Sequence, residues 1–364
     1  MKLLIVDTYY SGVLDHLYAE APGLHRRPYA EQWRLVMDQC FGTADFYSEG
    51  LRPLGYDAHE VVANCDPLQR RWARQHAAHL WAAYPLYRRL GRRKDWYMAV
   101  LKAQVDKLRP DVLYVQDLNW VDAALLQAVR RKGQLIVGQT ACALREDVDC
   151  RQYDLIVSSF PHYVERFRQQ GVKSEYLRFA FAPRILNLLG PVPPGKAVVF
   201  VGGYSTQTYV NGSQLLEHVA SRVSLDFWGY GAESLPATSL VHQSYHGESW
   251  GLQMYRILAA SRMALNRHGE ISGRFANNMR LFEATGVGTL LLTDWKDDLN
   301  EMFKVGKEVI AYRTPQECAE LIAFYLEHEN ERRAIARAGQ ERTLRDHTYQ
   351  QRMKELVDIV RKYL

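Results

Sequence analysis

Short apolar runs that end in polar or glycine-containing loops recur along this chain of 364 residues, and segments with helical spacing separate them. In the first half these runs cover residues 2–6, 55–62, 112–115, 135–137 and 155–158. Runs of four to eight apolar residues between helical segments are typical of buried parallel strands. The alternation predicts an α/β fold with a doubly wound parallel sheet.

The alternation restarts after the segment PVPPGK at 191–196, whose three prolines and one glycine are typical of a linker. A chain of this length exceeds a single comfortable core. We therefore predict an N-terminal domain over 1–190 and a C-terminal domain over 191–347. The apolar residues of 348–364 have near-helical spacing and predict a last helix that packs back toward the N-terminal domain. Further helical patterns cover 29–51 and 66–108.

The composition excludes several classes of protein. With 47% hydrophobic and 24% charged residues the chain is an ordinary globular protein. Its five cysteines are odd in number and scattered, without a C-x-x-C pair, which favours a reducing compartment over a disulfide or zinc framework. The first apolar run is too short for a signal peptide, and no stretch approaches the 18 apolar residues of a spanning helix. These features predict a cytoplasmic protein.

A local excess of positive charge lies between residues 66 and 110, where 11 Lys or Arg stand against 3 Asp and several Trp and Tyr are interleaved. Three interpretations stay open: a solvated helix face with the Trp residues in the core, contact with an anionic membrane surface at the inner face of the membrane, or nucleic-acid binding. No recognised nucleic-acid motif accompanies the charge, so no nucleic-acid partner is predicted.

The segment 266–294 has the pattern of a strand, a polar loop, a short helix and a second strand. Arg280 and Glu283 are three residues apart in the predicted helix, so they share one face. Gly286 and Gly288 then end the helix before the next strand. In open parallel sheets, ligands bind where loops leave the carboxyl ends of strands. The segment therefore predicts a ligand site, although an Arg280–Glu283 pair on the surface is the simpler interpretation.

Together with its surroundings this segment resembles the group 1 type glycosyltransferases of GT-B architecture, in particular those similar to spore maturation proteins. The blocks that carry the resemblance are FVGGYS (200–205), FWGYG (227–231), YHG (245–247), MRLFEATGVGTLLLTD (279–294), GKEVIAYRTPQECAELI (306–322) and HTYQQRM (347–353). They cover roughly residues 197–364. The N-terminal half fits the same architecture by its strand-helix pattern alone.

The resemblance implies two facing Rossmann-like domains, the C-terminal one holding a nucleotide-sugar and the N-terminal one an acceptor. By this resemblance Glu283 holds the ribose through paired hydrogen bonds. Gly202 and Gly203 admit the diphosphate to the backbone, and Arg274 and Arg280 neutralise the leaving group. The further expected contacts are Tyr204, Gly229, His246 and Asn278.

The implied activity is transfer of a sugar to a glycan, a lipid-linked acceptor or a protein, in the biosynthesis of polysaccharides or glycoconjugates. No cofactor is expected besides the donor substrate. Because no Asp-x-Asp triplet is suited to a metal-bound nucleotide-sugar, no metal is expected either. Two alternatives stay open: a nucleotide-sugar epimerase of the same fold and a non-catalytic sugar-binding scaffold.

One position departs from the family pattern. Retaining members place a second glutamate eight residues before the ribose-binding one, and this chain has Phe275 there. Whether the anomeric configuration is retained or inverted is therefore open. An inverting enzyme needs a general base near the acceptor hydroxyl. The candidates after the N-terminal strands are Asp15 and His16, followed by Asp117 and Asp7.

Overall fold

The computed structural model describes residues 1–205, 207 and 210–364, and of Ser234 the backbone only. The chain forms two compact units. Unit 1 comprises Met1–Leu177 and Arg352–Leu364, and unit 2 comprises Arg178–Gln351. The last helix thus ends in the unit that holds the N-terminus, as the predicted fold class requires. The domain bounds expected from the sequence stay a prediction.

Unit 1 contains a six-stranded parallel sheet in the order β2-β1-β3-β4-β5-β6. Its strands are β1 Lys2–Asp7, β2 Asp57–Val62, β3 Val112–Val115, β4 Leu135–Thr140, β5 Leu155–Ser158 and β6 Ser174–Tyr176. Every residue of β3, β4 and β5 is buried. Complete burial explains why these strands begin with apolar runs that do not alternate with polar residues, since helices cover both faces of a parallel sheet.

Unit 2 contains a five-stranded parallel sheet in the order β11-β10-β9-β7-β8. Its strands are β7 Val198–Gly203, β8 Asp226–Tyr230, β9 Met263–Leu265, β10 Leu290–Asp294 and β11 Ile310–Tyr312. The core of this unit joins side chains of all five strands, among them Phe200, Phe227, Leu265, Leu292 and Ile310. The two parallel sheets confirm the predicted α/β class.

Helices connect the strands in both units. They are α1 Ser11–Glu20, α2 Tyr29–Asp38, α3 Phe46–Leu51, α4 Asp66–His76, α5 Ala78–Arg89, α6 Arg93–Leu108, α7 Ala123–Val129, α8 Pro161–Gln169, α9 Arg184–Leu189, α10 Val210–Ala220, α11 Leu240–Gln243, α12 Gly251–Ala260, α13 Arg280–Gly286, α14 Leu299–Met302, α15 Pro315–Glu327, α16 Glu329–Asp346 and α17 Tyr349–Arg361. In the described part of the chain, no helix is long and apolar enough to cross a membrane.

Local sequence explains several helix ends. The Thr314 side chain accepts a hydrogen bond from the Glu317 amide at the start of α15, and Pro315 occupies the first helical position. Asp122 caps α7 in the same way through the Leu125 amide. These caps satisfy amides that lack a partner inside the helix. They place the boundaries where the sequence has an oxygen-bearing side chain.

Two helical segments are more broken than predicted. The expected helix 29–51 is two helices, because Cys40 and Ala44 adopt positive φ angles of 52° and 41° between α2 and α3. The expected helix 66–108 is three helices, which separate at Ala77 and near Gly91. Gly42, with a φ of 58°, is the interruption that the sequence indicates in the first segment, whereas the breaks at Ala77 and near Gly91 were not predicted.

The aromatic residues of segment 66–110 divide between the interior and the surface. Trp72, Tyr84 and Trp96 form a buried cluster within α4, α5 and α6. By contrast Trp81, Leu86 and Leu90 of α5 are 43%, 58% and 59% exposed. The prediction that Trp residues of this segment enter the core is therefore confirmed for two of them, and α5 keeps an apolar outer face.

Candidate functional site

The carboxyl ends of β10, β9 and β7 lie side by side in the sheet of unit 2. β9 ends at Leu265, so Asn266, Arg267 and His268 leave the sheet at this edge. β7 ends nearby in the glycine pair Gly202 and Gly203. Loops at this edge are where open parallel sheets bind ligands. We define this set of loops and the start of α13 as the unit 2 edge.

Glu283 and Arg280 form a shielded ion pair on α13. Arg280 Nη1 lies 2.8 Å from Glu283 Oε2, and the two side chains are 14% and 8% exposed. The Tyr255 hydroxyl donates to Glu283 Oε1 over 3.4 Å. Arg280 Nη2 also donates to the carbonyl of Val201 on β7, over 3.3 Å. The predicted pair thus exists and connects α13 to β7, while the carboxylate keeps further acceptor sites.

Asn278 and Asn266 join the start of α13 to the end of β9. Asn278 Nδ2 donates to Asn266 Oδ1 over 2.8 Å and to the Arg267 carbonyl over 3.1 Å. Asn278 Oδ1 accepts from the Leu281 amide over 3.3 Å, so it also caps the helix. The Tyr312 hydroxyl donates to the Asn266 carbonyl over 2.6 Å. These contacts fix the conformation of the loop that follows β9. They give Asn278 a structural role.

Arg267 is a second guanidinium at this edge that the sequence interpretation did not select. Its Nη2 donates to the Gly203 carbonyl over 2.7 Å, and its guanidinium lies 5.7 Å from the Phe200 ring centroid. Gly212 of α10 leaves room for it, because a Cβ atom there would lie 2.1 Å from Arg267 Nε. Its position directly after an apolar strand was the available signal.

His268 and Asp294 form another pair that sequence reasoning missed. Asp294 Oδ1 is 2.7 Å from His268 Nδ1 and also accepts the His268 amide over 2.9 Å. The imidazole is buried, and its Nε2 has no hydrogen-bond partner among the described residues. Burial acts to raise the pKa of Asp294, but the hydrogen bonds and charge of His268, together with Lys296, outweigh it, and the pKa is lowered.

The glycines of β7 and β8 allow these neighbouring strand ends to approach closely. Gly229 has a φ of 144°, and a Cβ atom there would lie 1.8 Å from the Gly202 carbonyl oxygen. A Cβ atom at Gly203 would lie 2.6 Å from the Tyr230 ring. No larger residue fits at these positions without a shift of the chain. The close packing of β7 and β8 explains why position 229 is a glycine. Gly202 and Gly203 also border the unit 2 edge.

Three other predicted contacts lie elsewhere in unit 2 or face away from this edge. His246 runs alongside β8, where its ring stacks on Trp228 and lies 2.6 Å from Asp226. Tyr204 is buried, and its hydroxyl donates to Glu217 over 3.3 Å. Arg274 is 72% exposed and pairs with Asp297 over 2.8 Å.

In unit 1 the structure brings together two carboxylates at the carboxyl ends of neighbouring strands. Asp7 ends β1, and Asp117 follows β3, the strand beside it. The Thr8 amide donates to Asp7 over 2.8 Å, while the Thr8 hydroxyl donates to Asp117. Burial raises the pKa of Asp7 to about 7, although the Thr8 amide opposes this shift and Asp117 adds to it. We define Asp7, Thr8 and Asp117 as the unit 1 edge.

The two residues ranked first as general base do not join this group. Asp15 and His16 are exposed on α1, and His16 lies 3.4 Å from Glu20 of the same helix. Within the described part of the chain, no hydrogen bond or ion pair links either of them to Asp7 or Asp117. The sequence placed them after the first strand, but the helix presents them to solvent.

Metal ligands are not assembled in the described residues, where no group of three or more His, Cys, Asp or Glu is close enough to hold an ion. One Asp-x-Asp triplet does occur, at Asp147 and Asp149 of unit 1. Asp147 pairs with Arg145, and Asp149 caps a short helical turn through the Arg151 amide. Metal independence stays a prediction.

Comparisons with known proteins agree with this arrangement. Residues 208–358 match the family model described as glycosyl transferase-like. Sucrose-phosphate synthase from Thermosynechococcus elongatus has a similar structure, with a TM-score of 0.57 at 9% identity over 100% of this chain and 98% of that chain. Anabaena Alr3699/HepE, solved in complex with UDP and glucose, gives a TM-score of 0.57 at 12% identity over 100% of both chains.

The UDP-GlcNAc 2-epimerase from Neisseria meningitidis, solved bound to UDP-GlcNAc, is also similar, with a TM-score of 0.52 at 9% identity over 100% of both chains. The search of curated protein sequences found no match. The structural similarities establish the fold, and residues 208–358 are similar to glycosyl transferase-like proteins. The predicted GT-B fold is confirmed, and the family match over residues 208–358 supports the predicted resemblance to group 1 type glycosyltransferases.

Proposed function

We propose that the protein transfers a sugar from a nucleotide-sugar donor to a hydroxyl group of an acceptor, with the donor held at the unit 2 edge. The observation that carries this proposal is the shielded Glu283–Arg280 pair beside Arg267 and the glycine end of β7. A carboxylate accepts hydrogen bonds from two adjacent ribose hydroxyls, and guanidinium groups match phosphate oxygens. One edge thus offers both chemistries that a nucleoside diphosphate needs.

The leaving group of this reaction is a nucleoside diphosphate, which carries more negative charge after the glycosidic bond breaks. Fixed cations that face the diphosphate stabilise that developing charge. Arg267 and Arg280 supply this charge in the proposal, and Arg274 with its exposed side chain is the weaker candidate. We therefore propose that transfer proceeds without a metal ion, so EDTA should leave the rate unchanged.

The acceptor hydroxyl must lose a proton during transfer. In the proposal Asp7 accepts it, because a carboxyl group with a pKa of about 7 is a better base near neutral pH than an ordinary aspartate. Asp117 and Thr8 hold the loop and keep negative charge next to Asp7. Whether the anomeric configuration inverts is open, and proton NMR of the first product formed would establish it.

We propose UDP-sugars as the first donors to test, because solved proteins of similar fold contain UDP or UDP-GlcNAc. A thermal-shift panel of nucleoside diphosphates should show one base that raises the melting temperature, since a ligand that binds only the native state stabilises it. Transfer is then assayed with the sugars of that base. A panel without any shift would contradict the proposal and favour the scaffold alternative.

One protein of similar fold is an epimerase. A second candidate function is therefore epimerisation of the donor sugar, which needs no acceptor. Incubation of the protein with donor alone separates the two functions. Sugar transfer predicts that the donor stays unchanged or is slowly hydrolysed, whereas epimerisation predicts a second sugar nucleotide in the mixture. Chromatography of the nucleotide-sugars measures this outcome directly.

The acceptor proposal draws on α5, where exposed Trp81, Leu86 and Leu90 stand next to Arg88 and Arg89. Apolar side chains flanked by cations are suited to an anionic membrane surface. We therefore propose peripheral membrane contact and a lipid-linked acceptor. Flotation with anionic vesicles should recover the wild type and lose the variant Leu86→Glu/Leu90→Glu. The control Leu188→Glu, at an exposed leucine of α9, should still float.

A further inference from the structure

A cavity of about 420 Å³ lies in unit 1, along the outer strand β2. Helices α2, α4 and α6 contribute most of the remaining lining, together with Leu4 of β1 and Arg52 before β2. This volume lies in the range of cavities that hold small molecules, roughly 300 to 1,000 Å³. It therefore has room for a ligand of small-molecule size.

Most of the cavity wall is apolar. Tyr29, Trp33 and Trp72 provide aromatic surface, and Leu4, Val61 and Leu108 provide aliphatic surface. Trp72 and Val61 are buried in the fold, while Tyr29 and Trp33 are partly exposed around the opening. Walls of this kind favour an apolar ligand body, because its transfer from water is stabilising by about 25 cal/mol per Å².

The outer edge of β2 already has partners for its carbonyl groups. Arg52 donates to the Ala58 carbonyl over 3.1 Å, Trp33 to the Glu60 carbonyl over 3.0 Å, and the Gln69 amide to the Val62 carbonyl over 2.8 Å. An added peptide strand would need such carbonyls as acceptors. The edge is thus closed to a strand, which favours a small molecule as the occupant.

Gln104 places an unused acceptor in the cavity lining. It is 5% exposed, and its Nε2 donates to Gln69 Oε1 over 2.9 Å. The Gln69 amide donates in turn to a carbonyl, so the orientation of both amides is fixed. Gln104 Oε1 is buried and accepts no hydrogen bond from any described residue. A buried acceptor without a donor is costly, and a ligand hydroxyl would satisfy it.

Cationic side chains also line the cavity. Arg52 and Lys107 are exposed there, while His59 lies 2.8 Å from Asp57. Glu60 is the acidic residue of the lining; burial raises its pKa to about 7, although Ser48 opposes the shift. Among the described residues neither Arg52 nor Lys107 forms an ion pair, so their two charges outweigh the single carboxyl of Glu60. The cavity therefore favours an anionic group on its ligand.

The cavity is separate from the unit 1 edge. Arg52 precedes β2, and Lys107 and Leu108 end α6 just before β3, so these residues lie toward the amino ends of the strands. Asp7 and Asp117 lie at the carboxyl ends. A ligand in the cavity can be bound while the carboxyl ends are occupied by another molecule.

We propose that this cavity binds an anionic amphiphile: an aliphatic chain with a carboxylate or phosphate at the level of Arg52 and Lys107, and a hydroxyl that donates to Gln104. The same chemistry is found in a free hydroxylated fatty acid and in a membrane lipid. The assignment goes beyond sugar transfer and does not depend on it.

The first test is calorimetric titration of the full chain with monododecyl phosphate below its micelle concentration. Ala30 lines the cavity from α2, so Ala30→Leu fills it while leucine remains a good helix former. We expect binding by the wild type and a loss of about tenfold or more in Ala30→Leu, or 1.4 kcal/mol. The matched control Ala82→Leu, on exposed α5, should bind as the wild type does.

Absence of binding by the wild type, or equal binding by Ala30→Leu and Ala82→Leu, would overturn the proposal. Circular dichroism and melting temperature establish that both variants fold. The charge is tested by Lys107→Ala, for which we expect weaker binding of about threefold to tenfold, reduced at high salt. The control Lys132→Ala should show no change, and a change of equal size there would overturn the role of Lys107.

The hydroxyl contact is tested with 2-, 3- and 12-hydroxydodecanoate against dodecanoate. At least one should bind the wild type about tenfold more tightly than dodecanoate, and Gln104→Met should remove this advantage. Equal affinities for all four would overturn the contact with Gln104.

Vesicles of phosphatidylglycerol and phosphatidylcholine distinguish the two sources of the ligand. If membrane lipid is the source, Ala30→Leu should float less than the wild type; if a free amphiphile is the source, both should float alike. The α5 variant Leu86→Glu/Leu90→Glu should still bind monododecyl phosphate in either case. Failure of the membrane-contact proposal and failure of the cavity proposal are therefore distinguishable.

Discussion

The carboxyl ends of the two parallel sheets carry opposite charge. The unit 2 edge presents the guanidinium groups of Arg267 and Arg280 beside the shielded carboxylate of Glu283, while His268 pairs with the second carboxylate there, Asp294. The unit 1 edge presents two carboxylates, Asp7 and Asp117, with the hydroxyl of Thr8. The same strand-loop-helix geometry thus yields a cationic edge and an acidic edge. One is suited to hold a diphosphate, and the other to accept a proton from a hydroxyl.

The pKa values sharpen this contrast. At the unit 1 edge the pKa of Asp7 is raised to about 7, mainly by burial. In unit 2 the pKa of Asp294, the last residue of β10, is lowered, because His268 and Lys296 outweigh the effect of burial. Both aspartates end a parallel strand. The charge of the adjacent loop, rather than the position on the strand, thus decides whether the pKa of the aspartate is raised or lowered.

The largest expected effect is that of Asp7→Asn. It should lower the transfer rate by about 10² to 10⁴-fold, the usual contribution of a general base. It should also stabilise the protein at pH 8. A carboxyl whose pKa is raised on folding contributes stability below its unfolded value near 3.8, and this contribution is lost as the pH rises through about 7. Denaturant unfolding at pH 5 and pH 8 measures the stability difference.

The matched control for Asp7→Asn is Asp15→Asn on the exposed face of α1. Asp15→Asn should change neither rate nor stability, since its side chain is in solvent. A loss of transfer in Asp15→Asn with full activity in Asp7→Asn would reverse the assignment of the base. It would also remove the contrast between the two edges.

The second effect is that of Glu283→Gln on nucleotide affinity. The substitution keeps the side-chain volume but removes the charge that two ribose hydroxyls would bind. Hydrogen bonds to charged groups contribute about 1.5 to 3 kcal/mol, so a loss of about 10 to 100-fold in affinity is expected. Calorimetry with the best nucleoside diphosphate measures it.

Glu283→Gln also leaves Arg280 without its ion-pair partner, which destabilises the protein. Glu329→Gln on α16 is the control, because Glu329 pairs with the buried Arg332 three residues away, over 2.8 Å. It should leave nucleotide affinity unchanged. Equal losses in both variants would show that the effect at Glu283 is one of stability alone.

The third expected effect is a difference in diphosphate affinity between variants of Arg267 and of Arg274. Arg267→Met should weaken binding of the diphosphate by about tenfold and leave the affinity for the nucleoside unchanged, whereas Arg274→Met should have little effect on either. Gly212→Ala should act like Arg267→Met, because its Cβ atom would displace the guanidinium although alanine favours the helix. Normal diphosphate binding by Gly212→Ala would contradict this placement of Arg267.

The smallest effect concerns Asp294 and pH. A carboxyl whose pKa is lowered on folding contributes stability above its unfolded value near 3.8, and this contribution is lost as the pH falls through the folded value. Asp294→Asn should therefore cost about 1 to 2 kcal/mol at pH 7 and much less near pH 2. Urea unfolding across this range tests it; a cost independent of pH would exclude the ionised carboxylate as its cause.

The sequence predicted the sheet of unit 1, because β3, β4 and β5 contain the short apolar runs 112–115, 135–137 and 155–157, and parallel strands buried on both faces have this pattern. It also predicted the Arg280–Glu283 pair from the spacing of three residues within one helix. Patterns of this kind are local, so no knowledge of the neighbouring elements was needed.

The remaining site residues depend on how separate segments meet. The contact of His246 with the nucleotide stays a prediction; its ring contacts Trp228 and Asp226 of β8, which the sequence of its own loop does not reveal. Arg267 was not selected, since the space for its guanidinium comes from Gly212, 55 positions earlier in the chain. The same limit applies to Asp7, whose pKa depends on burial and on Asp117 of another strand.

The central claim is that the unit 2 edge binds a nucleoside diphosphate through both ribose and phosphate. Calorimetric titration of the wild type with UDP, uridine and inorganic diphosphate tests it most directly, with the other nucleoside diphosphates in the same series. We predict that one nucleoside diphosphate binds at least about 100-fold more tightly than its nucleoside or inorganic diphosphate. No binding by any nucleoside diphosphate, or equal binding by inorganic diphosphate alone, would contradict the account.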